Sequence, residues 1–254
     1  MSIVEPTITP RSILITGAAG AIGQSIGPYL RRRGHHVRGF DRSPMPNFAD
    51  VIQADLADGA AVRQAVQGVD AVLHLGAFRN DADFMDVLLE PNVIGLYHVC
   101  EAARLARVKR LILASTIQVV NGFGPAAEPI RIADGPRPTN HYALTKLWAE
   151  EMGDMYARCY SLAVINVRMG WFARDAAMTQ RIGQSQQGRD IYFSQRDAQR
   201  FFMYCVESAE PQPGECITVF AASRPTDRPR LDLECARQLL GYEPLDQWPE
   251  GSPR

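Results

Sequence analysis

The stretch from Ser12 to Asp41, SILITGAAGAIGQSIGPYLRRRGHHVRGFD, constrains the fold of this chain more than any other. It opens on a short apolar run, ILI, whose β-branched character predicts a strand buried on both faces. Glycines follow at a spacing of three, and apolar residues then recur at helical spacing up to Gly34, where the predicted helix ends. A second short strand is predicted to end at Asp41. This order of elements is typical of a dinucleotide-binding unit.

Each part of this unit has a chemical role. The turn glycines, Gly17, Gly20 and Gly23, let a pyrophosphate approach the amides of the helix N-terminus, where unpaired N–H groups favour anions. Asp41 can accept hydrogen bonds from both ribose hydroxyls and repels a 2′-phosphate, so we predict NAD rather than NADP. Arg42 leaves this choice open, because an arginine at that place can accommodate the phosphate.

Length and composition narrow the class of protein. A chain of 254 residues is long enough for one large α/β domain, and we expect a flexible tail at 1–10 followed by a single domain at 11–254. A net charge of −1 gives no reason to expect nucleic acid or a membrane as partner. No apolar run approaches the roughly 18 residues of a membrane span. Five scattered cysteines without a CxxC pair indicate a reduced, cytoplasmic setting and predict neither a metal site nor a disulfide framework.

Strands and helices are predicted to alternate along the rest of the chain. This alternation predicts an α/β fold, a Rossmann-type doubly wound parallel sheet with a reduced C-terminal substrate-binding region. A long helix is expected at 84–106, bent at Pro91. Asp55 either reaches the adenine edge or caps the helix at 59–67, and the residues leave both readings open. His74 lies on a predicted strand and is expected to be packed and hydrogen-bonded rather than catalytic.

The chemistry is predicted around Tyr142 and Lys146, which lie four residues apart on a helix and therefore share one face. A tyrosine with an ordinary pKa of about 10 is a poor base at neutral pH, and a neighbouring ammonium is expected to lower that pKa. Ser115 and Thr116 follow a predicted strand, at the sheet edge where ligands bind. Either hydroxyl can hold a substrate oxygen against the tyrosine. A proline-rich loop at 121–139 is expected to overlie this site.

The motifs TGAAGAIG, DLAD, HLGA, NVIGLYHVCEAAR and YALTK together resemble the extended short-chain dehydrogenase/reductase superfamily, in its NAD-dependent epimerase/dehydratase branch. Within it the chain is similar to the uronate dehydrogenases, which oxidise the anomeric carbon of a hexuronic acid to a lactone. This resemblance implies that Tyr142 is the base, with Thr116 on the substrate hydroxyl and Lys146 on the nicotinamide ribose. The cofactor contacts that it implies are Gly17, Gly20, Ala21, Ile22, Gly23, Asp41, Arg42, Asp55, Leu56, Leu75, Gly76, Ala77, Tyr142, Lys146 and Met169.

The chain departs from that family where the substrate would lie. Ile117 and Gln118 follow Thr116 where the uronate enzymes have Asn and His, while Arg79 and Trp171 replace serines. An anionic sugar, a uronate or a sulfonated sugar, remains the expected substrate because guanidinium groups pair well with such anions. Arg79 is equally consistent with a solvated surface arginine. The expected substrate contacts are Arg79, Thr116, Gln118, Tyr142, Trp171, Arg174, Arg181 and Arg189.

Substrate-binding elements are expected mainly in 171–254. Only 108 residues follow Lys146, fewer than nucleotide-sugar enzymes use, which favours a free monosaccharide. Two alternatives stay open: an epimerase or dehydratase that retains NAD, and a non-catalytic dinucleotide sensor. The helices at 84–106 and 141–160 resemble the superfamily's dimer helices, so a homo-oligomer is expected.

Overall fold

The computed structural model describes residues 9–124 and 129–253. The predicted tail at 1–10 lies outside these residues except for its last two positions. So do residues 125–128 of the proline-rich loop. No helix in the described ranges is both long enough and apolar enough to cross a membrane.

Seven strands of the described residues form one parallel sheet, in the order β3-β2-β1-β4-β5-β6-β9. The strand order reverses between β1 and β4, and this is the doubly wound arrangement that the alternating pattern predicts. A separate pair of two-residue strands, β7 and β8, lies after β6. The strands are β1 Ser12–Thr16, β2 His36–Asp41, β3 Asp50–Gln53, β4 Ala71–His74, β5 Arg110–Thr116, β6 Ala163–Met169, β7 Trp171–Phe172, β8 Tyr192–Phe193 and β9 Cys216–Ala221.

Helices cover both faces of the sheet. The α-helices are α1 Ala21–Arg32, α2 Gly59–Ala65, α3 Gly95–Leu105, α4 His141–Tyr160, α5 Ala176–Gly183, α6 Gln186–Asp190, α7 Gln195–Glu207 and α8 Glu234–Leu240. On one face, α1, α7 and α8 bury residues such as Ile26, Phe201 and Leu240 in a common core. On the other face, α2, α3 and α4 do the same with residues such as Val99 and Tyr156. Burying each such apolar side chain contributes roughly 1.5–3 kcal/mol, which holds both helix layers against the sheet.

The segment before α3 differs from the single bent helix that the sequence predicts. Two π-helical turns, Phe84–Leu88 and Glu90–Ile94, precede α3. Pro91 has no N–H to donate and its ring displaces the carbonyl of the preceding turn, so the regular α-helical pattern is lost around it. The Asp83 side chain accepts a hydrogen bond of 2.8 Å from Asp86 N and starts the first of these turns.

Candidate active site

A cleft of about 510 Å³ opens at the carboxyl ends of β1, β4, β5 and β6. This is the topological switch point of the sheet, where doubly wound folds bind their ligands. The predicted site residues that line this cleft are Gly17, Gly20, Ala21, Ile22, Gly23, Leu75, Ala77, Arg79, Thr116, Gln118, Tyr142, Lys146, Met169, Trp171, Arg174 and Arg181. The structure therefore brings residues from more than half of the chain to one place.

The glycine-rich turn is built for close approach. Gly17 has a φ of +70°, and a Cβ atom there would lie 2.6 Å from Gly76 N in the turn after β4. Gly20 begins α1 without a side-chain cap, and the first turn of the helix carries no acidic residue. Uncapped amides at a helix N-terminus are a ready anion site, so the turn fits a pyrophosphate.

Asp41 ends β2 beside this turn. Its Oδ2 accepts a hydrogen bond of 3.0 Å from Ala19 N, and its Oδ1 accepts one of 2.9 Å from Ser43 N. A carboxylate has about four acceptor positions, so two remain for ribose hydroxyls. The Arg42 side chain is 77% exposed, and its guanidinium is 4.0 Å from Asp55. Asp41, Arg42 and Asp55 do not belong to the lining of the 510 Å³ cleft.

The capping interpretation of Asp55 is wrong. Asp58 caps α2 by accepting hydrogen bonds from the amides of Ala60 and Ala61, both at 3.0 Å. Asp55 instead accepts one from Ala57 N, two residues ahead, in a local turn. A cap lies directly before its helix, so the three residues between Asp55 and the observed helix start exclude it.

Hydrogen bonding and packing against neighbouring residues hold the turn after β4 in place. Thr16 Oγ1 accepts a hydrogen bond of 3.2 Å from Gly76 N and lies 2.7 Å from His74 Nδ1. Burial lowers the pKa of His74 to about 3, so the imidazole is neutral and packed, as the sequence predicts. Leu56 is buried against Gly76, since a Cβ atom on that glycine would lie 2.8 Å from its Cδ1. Leu56 and Gly76 thus support the cleft wall from behind.

Helix α4 carries the predicted reactive pair. Tyr142 and Lys146 are both buried, and Glu150 follows at the same spacing on the same face. Lys146 Nζ donates a hydrogen bond of 3.0 Å to Ala114 O on β5. Ser115 Oγ donates one of 2.5 Å to Glu150. The helix is therefore fastened to the end of β5, with Ser115 engaged in packing rather than presented to a ligand.

Arg168 on β6 completes this anchor. Its Nε and Nη2 donate to the two carboxylate oxygens of Glu150 at 2.9 and 2.7 Å. Both side chains are only 5% exposed, so the bidentate pair is shielded from solvent. Separating the two side chains of a buried pair of this kind would leave an uncompensated charge in the interior. The Glu150–Arg168 pair is therefore strongly held in its observed geometry.

Burial sets the electrostatics of the reactive pair. It raises the pKa of Tyr142 to about 12, against the effect of a hydrogen bond from Thr116 that favours the phenolate. It lowers the pKa of Lys146 to about 8. The lowered tyrosine pKa expected from the sequence is therefore wrong, because desolvation outweighs the hydrogen bond from Thr116.

Asn92 is a supporting residue that the sequence reasoning missed. Its Oδ1 accepts a hydrogen bond of 2.7 Å from Phe78 N, and its Nδ2 donates to Phe78 O and to Thr145 Oγ1, each at 3.1 Å. The side chain therefore ties the turn after β4 to helix α4. The signal was present in the sequence as an asparagine directly after Pro91, within a quoted motif.

The part of the cleft that is predicted to bind substrate is rich in guanidinium groups. Arg174 Nε donates a hydrogen bond of 3.1 Å to Asp175, and the backbone N–H of Met178, followed by Arg174 and Arg79, holds the pKa of that carboxyl below its usual range. Arg181 lines the cleft, and its guanidinium has no hydrogen-bond or ion-pair partner in the described part of the chain. Arg79 is exposed but belongs to the cleft wall.

Arg189 does not belong to this group. Its Nη2 donates to Gln186 Oε1 at 2.7 Å, its Nη1 donates to Gly183 O, and the guanidinium lies 5.8 Å from the Trp248 ring centroid. It sits at the end of α6, where it packs on the C-terminal segment instead of facing the cleft. The C-terminal contribution to the cleft lining comes from 171–181, a narrower range than the predicted 171–254.

Six cleft-lining residues were not predicted as contacts, namely Asn80, Ala114, Asn121, Gly170, Phe172 and Met178. Asn121 begins the proline-rich loop that was expected to overlie the site. The other five lie next to candidate residues in sequence or one helical turn away, so proximity was their only signal. Among the described residues, no cluster of histidine, cysteine and carboxylate side chains could hold a metal ion.

Comparison with known proteins agrees with this geometry. A model of the NAD dependent epimerase/dehydratase family matches residues 13–210, which include every strand of the large sheet except β9. The chain belongs to the NAD-dependent epimerase/dehydratase family. The family resemblance inferred from the motifs is confirmed, and membership in an NAD-dependent family identifies NAD as the cofactor.

Individual relatives are sugar dehydrogenases. The uronate dehydrogenase of Pseudomonas putida is 38% identical over 169 residues, which are 65% of this chain and 62% of that relative. The chain thus spans less than two thirds of that relative's length. The L-arabinose 1-dehydrogenase (NAD(P)(+)) of Haloferax volcanii is 29% identical over 92% of this chain and 96% of its own length. A mutant uronate dehydrogenase from Agrobacterium tumefaciens, solved as a complex with NAD, superimposes with a TM-score of 0.80 at 27% identity, covering 94% of this chain and 86% of that one.

Proposed function

We propose that this family member is an NAD-dependent dehydrogenase that oxidises the anomeric hydroxyl of a free, anionic monosaccharide to a lactone. The observation that carries the proposal is the presence of three guanidinium groups, on Arg79, Arg174 and Arg181, in the same cleft as Thr116 and Tyr142. A uronate or a sulfonated sugar has an anionic group for the arginines and a hydroxyl for the tyrosine. The names of two relatives support these two parts of the proposal. The uronate dehydrogenase supports an anionic sugar, and the L-arabinose 1-dehydrogenase supports oxidation at carbon 1.

The residues of the cleft divide the work of such a reaction. Thr116 and Tyr142 hold the hydroxyl, and Tyr142 takes its proton. Lys146 lies one helical turn after Tyr142 on the same face of α4 and, as an ammonium, would donate a hydrogen bond to the nicotinamide ribose. NAD, when bound, supplies the electrophilic carbon that accepts the hydride. The pKa of about 12 for Tyr142 means that most of the activation must come from positive charge brought close to the phenol on binding.

The charge of the cleft favours an anion. Of its cationic groups, Arg174 is partly neutralised by Asp175, which lies just outside the lining. Arg181 has no such partner among the described residues, and its planar fork suits a carboxylate or sulfonate. An anionic group bound there would be oriented at a fixed distance from the reacting carbon, which is how binding energy is converted into positioning.

A substrate screen tests the proposal. NAD reduction is measured with hexoses, hexuronates and sulfonated sugars, and we expect turnover to be confined to the anionic ones. Tyr142→Phe should abolish this turnover while the Kd for NAD stays within a few fold. Undiminished turnover in Tyr142→Phe would remove the base from the mechanism, and tightly retained NAD without net reduction would favour an epimerase or dehydratase.

A pair of arginine variants tests the anionic subsite. Arg181→Gln should raise KM for the anionic sugar by about 10- to 100-fold, the range expected for a charged hydrogen bond. Arg189→Gln is the matched control, because Arg189 lies outside the cleft, and it should change KM by less than about twofold. Equal effects of the two substitutions would contradict an anion site at Arg181.

Preference for NAD over NADP is part of the proposal, on the strength of Asp41 and the outward position of Arg42.

A homo-oligomer is proposed as well. Helices α3 and α4 expose large apolar side chains, among them Tyr97, Leu105 and Trp148, each more than half exposed. Sedimentation of the wild type should give an oligomer, and Trp148→Glu should shift it towards the monomer. A cytoplasmic location stays a prediction.

A further inference from the structure

Asn140 begins helix α4 with a side chain whose orientation is determined. Its Oδ1 accepts a hydrogen bond of 2.7 Å from Ala143 N and so caps the helix. Because the backbone N–H can only donate, the oxygen of the Asn140 amide must face it. The amide nitrogen therefore faces the other way, towards Gln118.

The orientation of Asn140 fixes that of Gln118 in turn. Asn140 Nδ2 donates a hydrogen bond of 2.9 Å to Gln118 Oε1. Gln118 Nε2, which carries two N–H groups, has no hydrogen-bond partner in the described ranges of the chain. Gln118 lines the cleft two residues after Thr116, and its backbone N donates to Thr116 Oγ1 at 3.2 Å. Its amide donors thus belong to the wall that holds the reacting hydroxyl.

We propose that Asn140 is a positioning residue that makes Gln118 a hydrogen-bond donor to the substrate. The substrate oxygen that lies against Gln118 is then an acceptor, next to the hydroxyl held by Thr116 and Tyr142. This inference rests on the proposed sugar dehydrogenase function. It explains how a half-buried helix cap contributes to substrate selection without touching the substrate.

We call this transfer of orientation from Asn140 to Gln118 the relay. Asn140→Asp tests it because the substitution replaces only the Nδ2 group, which faces Gln118, by an oxygen. One carboxylate oxygen still accepts from Ala143 N, and an acid at a helix N-terminus is favourable, so the helix keeps its cap. The other oxygen now faces Gln118 Oε1, and the Gln118 amide must rotate to donate to it. The amide then presents its oxygen to the substrate acceptor. We expect kcat/KM for the sugar to fall about 10- to 100-fold, as for a buried acceptor left without its donor, with the Kd for NAD within threefold.

A double-mutant cycle separates this relay from the new charge and from helix capping. In a Gln118→Leu background there is no amide to rotate, so adding Asn140→Asp should lower kcat/KM by no more than about threefold. Asn47→Asp is the matched control, since Asn47 Nδ2 donates to Gln24 Oε1 on the exposed surface. It should leave kcat/KM within twofold of the wild type. An equal loss from Asn140→Asp in both backgrounds, or no loss in the wild-type background, would overturn the relay.

The amide orientation also has a readout that does not depend on activity. Crystal structures of the wild type and of Asn140→Asp at a resolution better than about 1.2 Å reveal hydrogens and so distinguish amide nitrogen from oxygen. The relay requires the Gln118 amide to be reversed between the two. If the wild type oxidises no sugar, the proposed function fails, and these structures alone decide whether Asn140 sets the amide. An unreversed amide refutes the relay.

Discussion

Lys146→Met is predicted to stabilise the protein at neutral pH while removing its activity. The Lys146 side chain is 6% exposed, and burial lowers its pKa from 10.5 to about 8. These two values differ by about 2.5, which at about 1.4 kcal/mol for each pKa unit means that holding the buried ammonium costs roughly 3 kcal/mol at pH 7. Methionine removes that cost and also the hydrogen bond to Ala114 O, which contributes about 1 kcal/mol. The NAD-free variant should therefore be more stable by about 2 kcal/mol.

The pH dependence gives this prediction its sign. Between pH 8 and 10.5 the unfolded wild type still binds the lysine proton and the folded protein does not, so wild-type stability rises with pH in that window. The advantage of Lys146→Met should accordingly shrink by about 2 kcal/mol between pH 7 and pH 9.5. Groups that titrate in both proteins cancel in the difference.

Urea denaturation of the wild type and Lys146→Met at pH 7 and pH 9.5 measures this change in their stability difference. Lys109→Met is the control, because the Lys109 side chain is 80% exposed and pairs with Asp70 at the surface. Its effect should stay within about 1 kcal/mol, the range for a surface ion pair, and vary little between the two pH values. The assignment of Lys146 as a buried ammonium that destabilises the folded state would be refuted in two cases. Lys146→Met would be less stable than the wild type at pH 7, or its gain in stability would not change with pH.

Three further substitutions probe the cofactor turn and its supports. Gly17→Ala should weaken NAD binding by more than about 10-fold in calorimetry, because a left-handed residue with a Cβ costs roughly 1–3 kcal/mol and the atom would lie 2.6 Å from Gly76 N; normal affinity would show that the two turns can separate freely. Asn92→Leu should lower the free energy of unfolding in urea by about 2–3 kcal/mol, since it leaves the half-buried backbone N–H and C=O of Phe78 without their Asn92 partner; a neutral effect would mean that water replaces these hydrogen bonds. Asp41→Ser should raise the ratio of kcat/KM for NADP to that for NAD by about 10-fold or more, and an unchanged ratio would assign the choice to other residues.

Much of the cofactor half was predictable because it depends on local patterns. Glycine spacing, β-branched runs and an acid at a strand end each have one physical interpretation in a parallel sheet. A doubly wound parallel sheet and the family follow from them, and both are confirmed. The capping alternative for Asp55 stayed open because two aspartates, Asp55 and Asp58, precede α2, and only the start of the helix decides which one caps it.

The substrate half was less predictable because it depends on contacts distant in sequence. Arg181 and Arg189 look alike in the chain, and only the packing of α6 against Trp248 turns one of them away from the cleft. The pKa of Tyr142 depends on how much solvent its neighbours exclude, which no spacing of residues encodes. The relay from Asn140 to Gln118 likewise joins residues 22 positions apart through one amide.

The face of helix α4 that carries Tyr142, Lys146 and Glu150 has a consequence for how this fold can change over evolution. The proposed proton transfer, the proposed cofactor contact and the attachment to the sheet occupy successive turns of one helix, so none can change position without the others. The arginine-bearing segments, around Arg79 and at 171–181, line the same cleft but lie outside that helix. They can be exchanged for segments of other charge while the proposed reaction is kept. The same scaffold can therefore acquire a new sugar substrate by replacing two short segments.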